Sequence, residues 1–320
     1  MFSFLLWCTC VSAQEPAIES RVAHDPEILY QTANDLYDGG KFEDAIELLM
    51  RITTIRPDWA LAQNGLCVSH MRAGHPNRAI RACKRALSLE PNYVNSHFNL
   101  GVIYDSEGRD PEAAEAFKLV LRLKPDHRAA RYSLAGVYAD LGLTQPAIQE
   151  FQRVIREYPN YLDAYSGLAA LYYKLFNYDE SAAVLQQVIE LAPSETASRT
   201  NLGVVYIAQH KFREAVNVLT EAARLDASAA LSHHFLGYAY LRLGNRKRAF
   251  QAFESAVKLQ SKNAESRFFL GLVSLSLGKR DLAIEQCRKL EELGSTFGKQ
   301  LYQLIYRDKV IRIEQVKRLP

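Results

Sequence analysis

The sequence predicts an all-α protein, a solenoid of eight 34-residue helix-turn-helix units. Three observations predict it. Pro57, Pro91, Pro125, Pro159 and Pro193 stand 34 residues apart without a slip, and a fixed period of that length marks a stack of near-identical units. If each proline is position 32, the units start at residues 26, 60, 94, 128 and 162, and the frame continues through 196, 230 and 264. In that frame position 8 is small in every unit (Ala33, Cys67, Gly101, Ala135, Ala169, Gly203, Gly237, Gly271), and so is position 20, from Ala45 to Ala283.

Each element of the unit follows from its residue types. Positions 4, 7, 8 and 11 share one face at the helical period, with leucine at position 7 from Leu66 to Leu270 and tyrosine at position 11 from Tyr104 to Tyr240. They form a first helix of about 14 residues. Position 15 is Gly40, Gly74, Gly108, Gly142, Gly244 or Gly278 in six units; glycine there takes the left-handed conformation that ends the helix. Positions 20, 24 and 27, as in Ala113, Phe117 and Val120, repeat the apolar stripe in a second helix. Small residues at 8 and 20 let the two helices approach closely. Proline at position 32 stops the second helix. Asp58, Asn92, Asp126 and Asn160 follow it, placed to cap the next helix or its approach turn. The expected units are 26–59, 60–93, 94–127, 128–161, 162–195, 196–229, 230–263 and 264–297.

This pattern resembles the tetratricopeptide repeat family. Asn99-Leu100-Gly101-Val102-Ile103-Tyr104 with Ala113 and Pro125 follows its motif, as do Asn201-Leu202-Gly203-Val204-Val205-Tyr206 and Ala215. The resemblance implies antiparallel helix pairs wound into a right-handed superhelix with a concave groove, and a role in protein binding. The aromatic frequent at position 4 in the family is present only as Tyr165; Leu29, Gln63, His97, Arg131, Arg199, His233 and Arg267 take the other slots. The fifth and sixth units also depart, with Phe176 and His210 where glycine is expected.

The ends differ from the array. Residues 1–13 carry no charge through Val11, hold the apolar run Phe2-Ser3-Phe4-Leu5-Leu6-Trp7, and end in Val11-Ser12-Ala13. They read as a signal peptide, so the chain is expected to be exported, periplasmic or secreted. A cytoplasmic protein, or a lipid anchor on Cys8 or Cys10, is the lesser alternative. The segment lacks a basic start, which leaves open whether the true N-terminus lies upstream. Residues 14–25 read as a polar leader. Residues 298–320 read as a capping helix, with Leu301, Leu304 and Ile305 covering the last repeat, and a basic tail of net charge +4. The tail reads first as a solvated face, and second as a weak contact with a membrane surface.

No catalytic constellation stands out. The glycines fall on positions 8 and 15, and G-x-S-x-G, H-E-x-x-H and Cys-x-x-Cys are all absent from the sequence. No enzyme, cofactor, metal or nucleic-acid partner is expected, nor a membrane span. Cys67, Cys83 and Cys287 occupy core slots, where free cysteine behaves as a small hydrophobe. Cys67 and Cys83 lie on facing helices of one unit, so an oxidising compartment could join them.

The resemblance places positions 2, 5, 6, 9, 12 and 13 of each unit in the groove. The candidate partner-binding residues there are Tyr30, Asn34, Tyr37, Phe98, Asn99, Tyr132, Tyr173, Asn201, Phe235 and Tyr238. Aromatics flanked by charge suit an interface hot spot; the competing reading is that these rings pack sideways on the next unit. Phe268-Phe269 is the pair expected in the core. The functional expectation is a non-catalytic scaffold that binds a peptide or protein element in its groove. The alternative is a structural subunit of a bacterial-type envelope assembly (secretion, pilus or outer-membrane biogenesis) that binds by its convex face or ends. A third reading is kinship with the repeat region of peptide O-linked N-acetylglucosamine transferases, whose groove asparagines at position 6 are matched here only by Asn99 and Asn201.

Overall fold

The computed structural model describes residues 25–306. The expected signal segment, the leader before Asp25 and the basic tail beyond Tyr306 lie outside the described residues. Among the described residues there are seventeen helices and no strand, and no helix is long and apolar enough to cross a membrane. The chain divides into two compact units at Glu157/Tyr158. In the first unit the helix pairs are α1 (Pro26–Asp38) with α2 (Phe42–Ile55), α3 (Ala60–Arg72) with α4 (Pro76–Leu89), α5 (Val94–Ser106) with α6 (Asp110–Leu123), and α7 (Arg128–Asp140) with α8 (Thr144–Glu157). In the second they are α9 (Leu162–Lys174) with α10 (Tyr178–Leu191), α11 (Thr196–Ala208) with α12 (Phe212–Leu225), α13 (Ala230–Arg242) with α14 (Arg246–Leu259), and α15 (Ala264–Ser276) with α16 (Arg280–Glu292); α17 (Thr296–Tyr306) follows.

Within a pair, position 8 faces position 24, and the two must be sized for each other. A Cβ added to Gly101 would lie 2.5 Å from the Phe117 ring, one at Gly203 2.4 Å from Leu219, and one at Gly237 2.8 Å from Phe253. A side chain at these glycines would therefore have to displace a buried partner. The last pair has only Cys287 at position 24, and there Leu301 of α17 reaches over to Gly271, 2.4 Å from where a Cβ would stand. Leu301 and Ile305 are buried, and Phe268 stacks on Phe297 at 5.0 Å, so α17 covers the end of the last repeat.

The same facing slots hold Cys67 and Cys83, which the structure joins in a disulfide with Cα atoms 5.1 Å apart. The sequence left open whether these two core thiols are free or bridged, and the structure has them bridged. The physical reason is that positions 8 and 24 are 16 residues apart and face each other across the pair, so cysteines at both are brought within bonding reach. Cys287 has glycine opposite it and stays a free, buried thiol.

Of the two places expected for the residue after the proline, the structure takes the approach turn and not the helix cap. Asp58, Asn92, Asp126 and Asn160 sit in the turns, and the N-cap is the next residue: Trp59, Tyr93, His127 and Tyr161. Nor is proline required at position 32. α12 and α14 end at Leu225 and Leu259, at the same place in the repeat, with Ala227 and Ser261 in the proline slot.

What recurs is a hydrogen bond from position 4 to the carbonyl six residues earlier. Tyr165 Oη donates to the Pro159 carbonyl at 3.0 Å, Arg267 Nε to Ser261 at 2.6 Å, and Arg131 Nη2 to Pro125. His97 and His233 make the same contact to Pro91 and Ala227 at 2.8 and 3.2 Å. Tyrosine, histidine and arginine at this slot thus satisfy the same orphan carbonyl beyond the helix end; Arg199 departs and donates to the Glu195 carbonyl at 2.9 Å.

Within each compact unit, successive repeats meet through position 5 of one and position 3 of the next. Where position 3 is serine, position 5 is polar: Ser96 donates to Asn64 Oδ1 at 2.9 Å, Thr200 and Ser232 share a hydrogen bond of 2.7 Å, and His234 Nδ1 meets Ser266 Oγ at 2.9 Å. Where position 3 is alanine within a unit, position 5 is aromatic, as with Tyr30 before Ala62 and Phe98 before Ala130. The position 3 residues are buried, so each seam must match apolar with apolar or polar with polar.

Candidate functional site

Most of the expected groove aromatics are held in packing. Tyr30 leans on Trp59 at 5.2 Å and lies over Gly65. Phe98 sits between Phe117 (5.7 Å) and His127 (5.0 Å), and Tyr132 meets Phe151 edge-on at 5.8 Å. Phe235 is half-buried against the Leu219–Leu236 core, and Tyr238 packs on Phe269 while its hydroxyl accepts from Arg242 at 3.0 Å. Tyr37 packs on Phe42 at 5.4 Å, and its hydroxyl accepts from Arg72 at 3.1 Å. Phe268 and Phe269 are buried, as the sequence suggests. Asn99 donates its amide to Asn64 Oδ1 at 3.0 Å. Asn34 is exposed on α1.

Two of the candidates, Tyr173 and Asn201, come together in the second unit. They line a cleft of about 180 Å³ with Ser166, Ala169, Ala170, Ser181, Leu185, Val204 and Val205. α9 and α11 form its walls and α10 its floor. Ser181, which stands where other repeats have alanine, is buried and donates to the Ala169 carbonyl at 2.8 Å, so the floor is polar yet satisfied. Among the described residues none hydrogen-bonds the Asn201 carboxamide. Burial pushes the Tyr173 phenol above its usual range, with nearby Tyr178 adding to the effect, so it stays protonated and able to donate.

From the cleft, Tyr173 leads into an aromatic cluster. Tyr173 contacts Tyr178 at 5.4 Å, and Tyr178 meets Phe176 edge-on at 6.2 Å. Phe176 is 77% exposed, more than any other large apolar side chain among the described residues. Its φ of 62° is left-handed, as is that of His210 at 60° in the next repeat. Both occupy the slot that glycine fills elsewhere, for example Gly244 at 78°. The two turns are linked through Asp179, which accepts from Gln209 at 2.7 Å and lies 3.7 Å from Lys211.

Sequence reasoning did not single out Ser166, Ala170, Leu185 or Val204. Their signal was present: the fifth repeat is small at both positions 5 and 9 (Ser166 and Ala170), where the others carry at least one bulkier side chain.

No curated protein matches the chain. Solved structures do. A tetratricopeptide repeat protein from Parabacteroides merdae is 21% identical with a TM-score of 0.60, covering 78% of this chain and 98% of that one. Yeast Tom70 is 16% identical with a TM-score of 0.60, over 87% of this chain and 62% of its own. Pseudomonas aeruginosa pilF is 19% identical with a TM-score of 0.56, over 68% and 97%. At such identities the likeness is one of fold. Family profiles described as tetratricopeptide repeat match residues 68–127, 200–264 and 235–296, and a second set matches 107–172 and 138–199. Together they run without a break from 68 to 296, and the chain belongs to the tetratricopeptide repeat family.

Proposed function

We propose that this protein is a non-catalytic interaction scaffold that captures a peptide or protein element on the first-helix face of its second unit. The observation that carries the reading is the cleft between α9 and α11, lined by the exposed carboxamide of Asn201 and by Tyr173, whose ring packs on half-buried Tyr178 beside exposed Phe176. Aromatic rings beside a concave, partly apolar cleft are what a binding hot spot needs. The likeness of the fold to Tom70 and pilF accords with such a role. The Cys67–Cys83 bridge supports an oxidising compartment, and with it export of the chain.

Site-specific photocrosslinking in the native host tests the reading. A benzophenone side chain in place of Tyr173 should yield a discrete adduct that weakens when Asn201 becomes alanine. The same probe in place of exposed Gln187 on α10 should yield none. Adducts from Gln187 alone would instead favour an assembly subunit that binds by its second helices.

A further inference from the structure

We infer that the cleft is an anchor pocket for one neutral apolar side chain, up to the size of a phenyl ring, whose own peptide group pairs with Asn201. The inference rests on the scaffold reading and names the chemistry of its ligand.

Size comes first. Cavities of about 150 Å³ lined by apolar side chains accommodate benzene, and this cleft measures about 180 Å³. It exists because two side chains are missing from its α9 wall. Ser166 occupies the slot that holds Tyr30, Phe98 or Tyr132 in other repeats, and Ala170 the slot that holds Tyr238 or Leu272. An aromatic at that slot elsewhere packs within its own helix pair, as Phe98 does against Phe117. At this junction the volume is left for a ring from outside.

Charge comes second. No lining residue is ionised at neutral pH; the set is serine, alanine, tyrosine, leucine, asparagine and valine. A charged side chain pushed into the cleft would lose water and gain no counter-ion. The ligand's inserted group is therefore neutral.

The polar handle comes third, and the first unit supplies the comparison. Asn99 occupies the same repeat position as Asn201, and its amide is taken by the carboxamide oxygen of Asn64 at 3.0 Å. Ser166 stands where Asn64 stands and is too short to do the same. Asn201 is exposed and hydrogen-bonds no other described residue, so its donor and acceptor are open to a ligand. A peptide group offers the same oxygen as Asn64 and an N–H besides. A ring inserted between Ser166 and Val204 would carry its flanking peptide to that edge.

The test uses the full chain, labelled at leucine and valine methyls for NMR. The probes are N-acetyl-phenylalanine N-methylamide, its glycine counterpart, and benzene. The phenylalanine amide should give saturable shifts, at millimolar concentration, confined to the methyls of Leu185, Val204 and Val205; the glycine amide should give none. Asn201→Ala should weaken the phenylalanine amide on the order of 3–10-fold, the value of one hydrogen bond, and leave benzene unchanged. Ala170→Leu, which copies Leu272 of the last repeat, should abolish binding of both while the melting temperature holds. Equal shifts with the glycine amide, no saturable shift at these methyls, or binding that survives Ala170→Leu would each overturn the anchor pocket. If the probes fail while the Tyr173 photocrosslink remains, the scaffold reading stands without this anchor chemistry. If the probes bind while the photocrosslink is absent, the pocket is real and the scaffold reading falls.

Discussion

Arg131 carries a permanent charge on a side chain only 5% exposed, and three acceptors account for it. Glu150 lies at 3.1 Å, Glu157 at 3.6 Å, and the Pro125 carbonyl takes the remaining donor. Arg131→Met keeps the length and removes every bond. Both glutamates are partly exposed, at 25% and 35%, so water recovers some of the loss. The expected cost is about 2 kcal/mol in urea denaturation; an unchanged midpoint would remove the clamp from the account. Phe176 and His210 pose the opposite case, side chains at left-handed φ with no burial to justify them. A non-glycine residue there costs roughly 1–2 kcal/mol, and glycine returns part of the gain as freedom of the unfolded chain. Phe176→Gly should therefore leave stability level or raise it by up to about 1 kcal/mol, while Phe176→Gly with Tyr178→Ser should weaken the Tyr173 photocrosslink. A loss of stability would mean that the ring contributes to folding. Full capture by the double variant would mean that the turn is merely variable.

At the scale of the helix pair, the deciding contact is position 8 against position 24. Ala33 on Leu49, Gly101 on Phe117 and Gly203 on Leu219 pair a small residue with a large one, whereas Cys67 and Cys83 meet at that depth as a covalent bond. Both cysteines are fully buried. A bridge closing a loop of about 15 residues is worth about 3 kcal/mol. Alkylation in denaturant without reductant should leave Cys67 and Cys83 unlabelled by mass spectrometry. Dithiothreitol in mild denaturant should lower the melting temperature of the wild type. The double variant Cys67→Ala, Cys83→Leu copies the Ala33–Leu49 pair and should melt at one temperature with or without reductant. A reductant effect that survives in that variant would assign the sensitivity elsewhere.

Across the whole molecule, three histidines set a common acid limit. Burial holds His70, His127 and His234 below the usual histidine value, with repulsion from His75 adding at His70 and Glu265 pulling the other way at His234. The unfolded chain titrates near about 6.5, so below that pH it binds protons that the folded state refuses. Stability is then full above about pH 6.5 and falls as the pH drops through that value towards the lowered folded ones. Melting temperature should be level between about pH 7 and 8 and decline towards about pH 5. His234→Gln keeps a partner for Ser266 and should flatten part of the decline in the second unit. A flat profile in the wild type would show that these rings titrate freely.

The period, the helix pairs, the left-handed turn slots and the covering role of Leu301 and Ile305 were all legible in the sequence. Each depends on spacing within one helix or one turn, and an array repeats that local code until chance is excluded. The disulfide was half legible. Its two slots were known to face each other, but whether the sulfurs bond depends on how closely α3 and α4 approach. The free groove surface was legible only in part, through Tyr173 and Asn201. Whether Phe98 or Tyr132 faces a ligand or a neighbour depends on side chains on other helices, and the same residue type serves both ends. The cleft beside Asn201 depends on what is missing, small residues on α9 together with an unanswered amide on α11. Only the packed structure decides where such gaps coincide, because a void belongs to several helices at once and to no single stretch of chain.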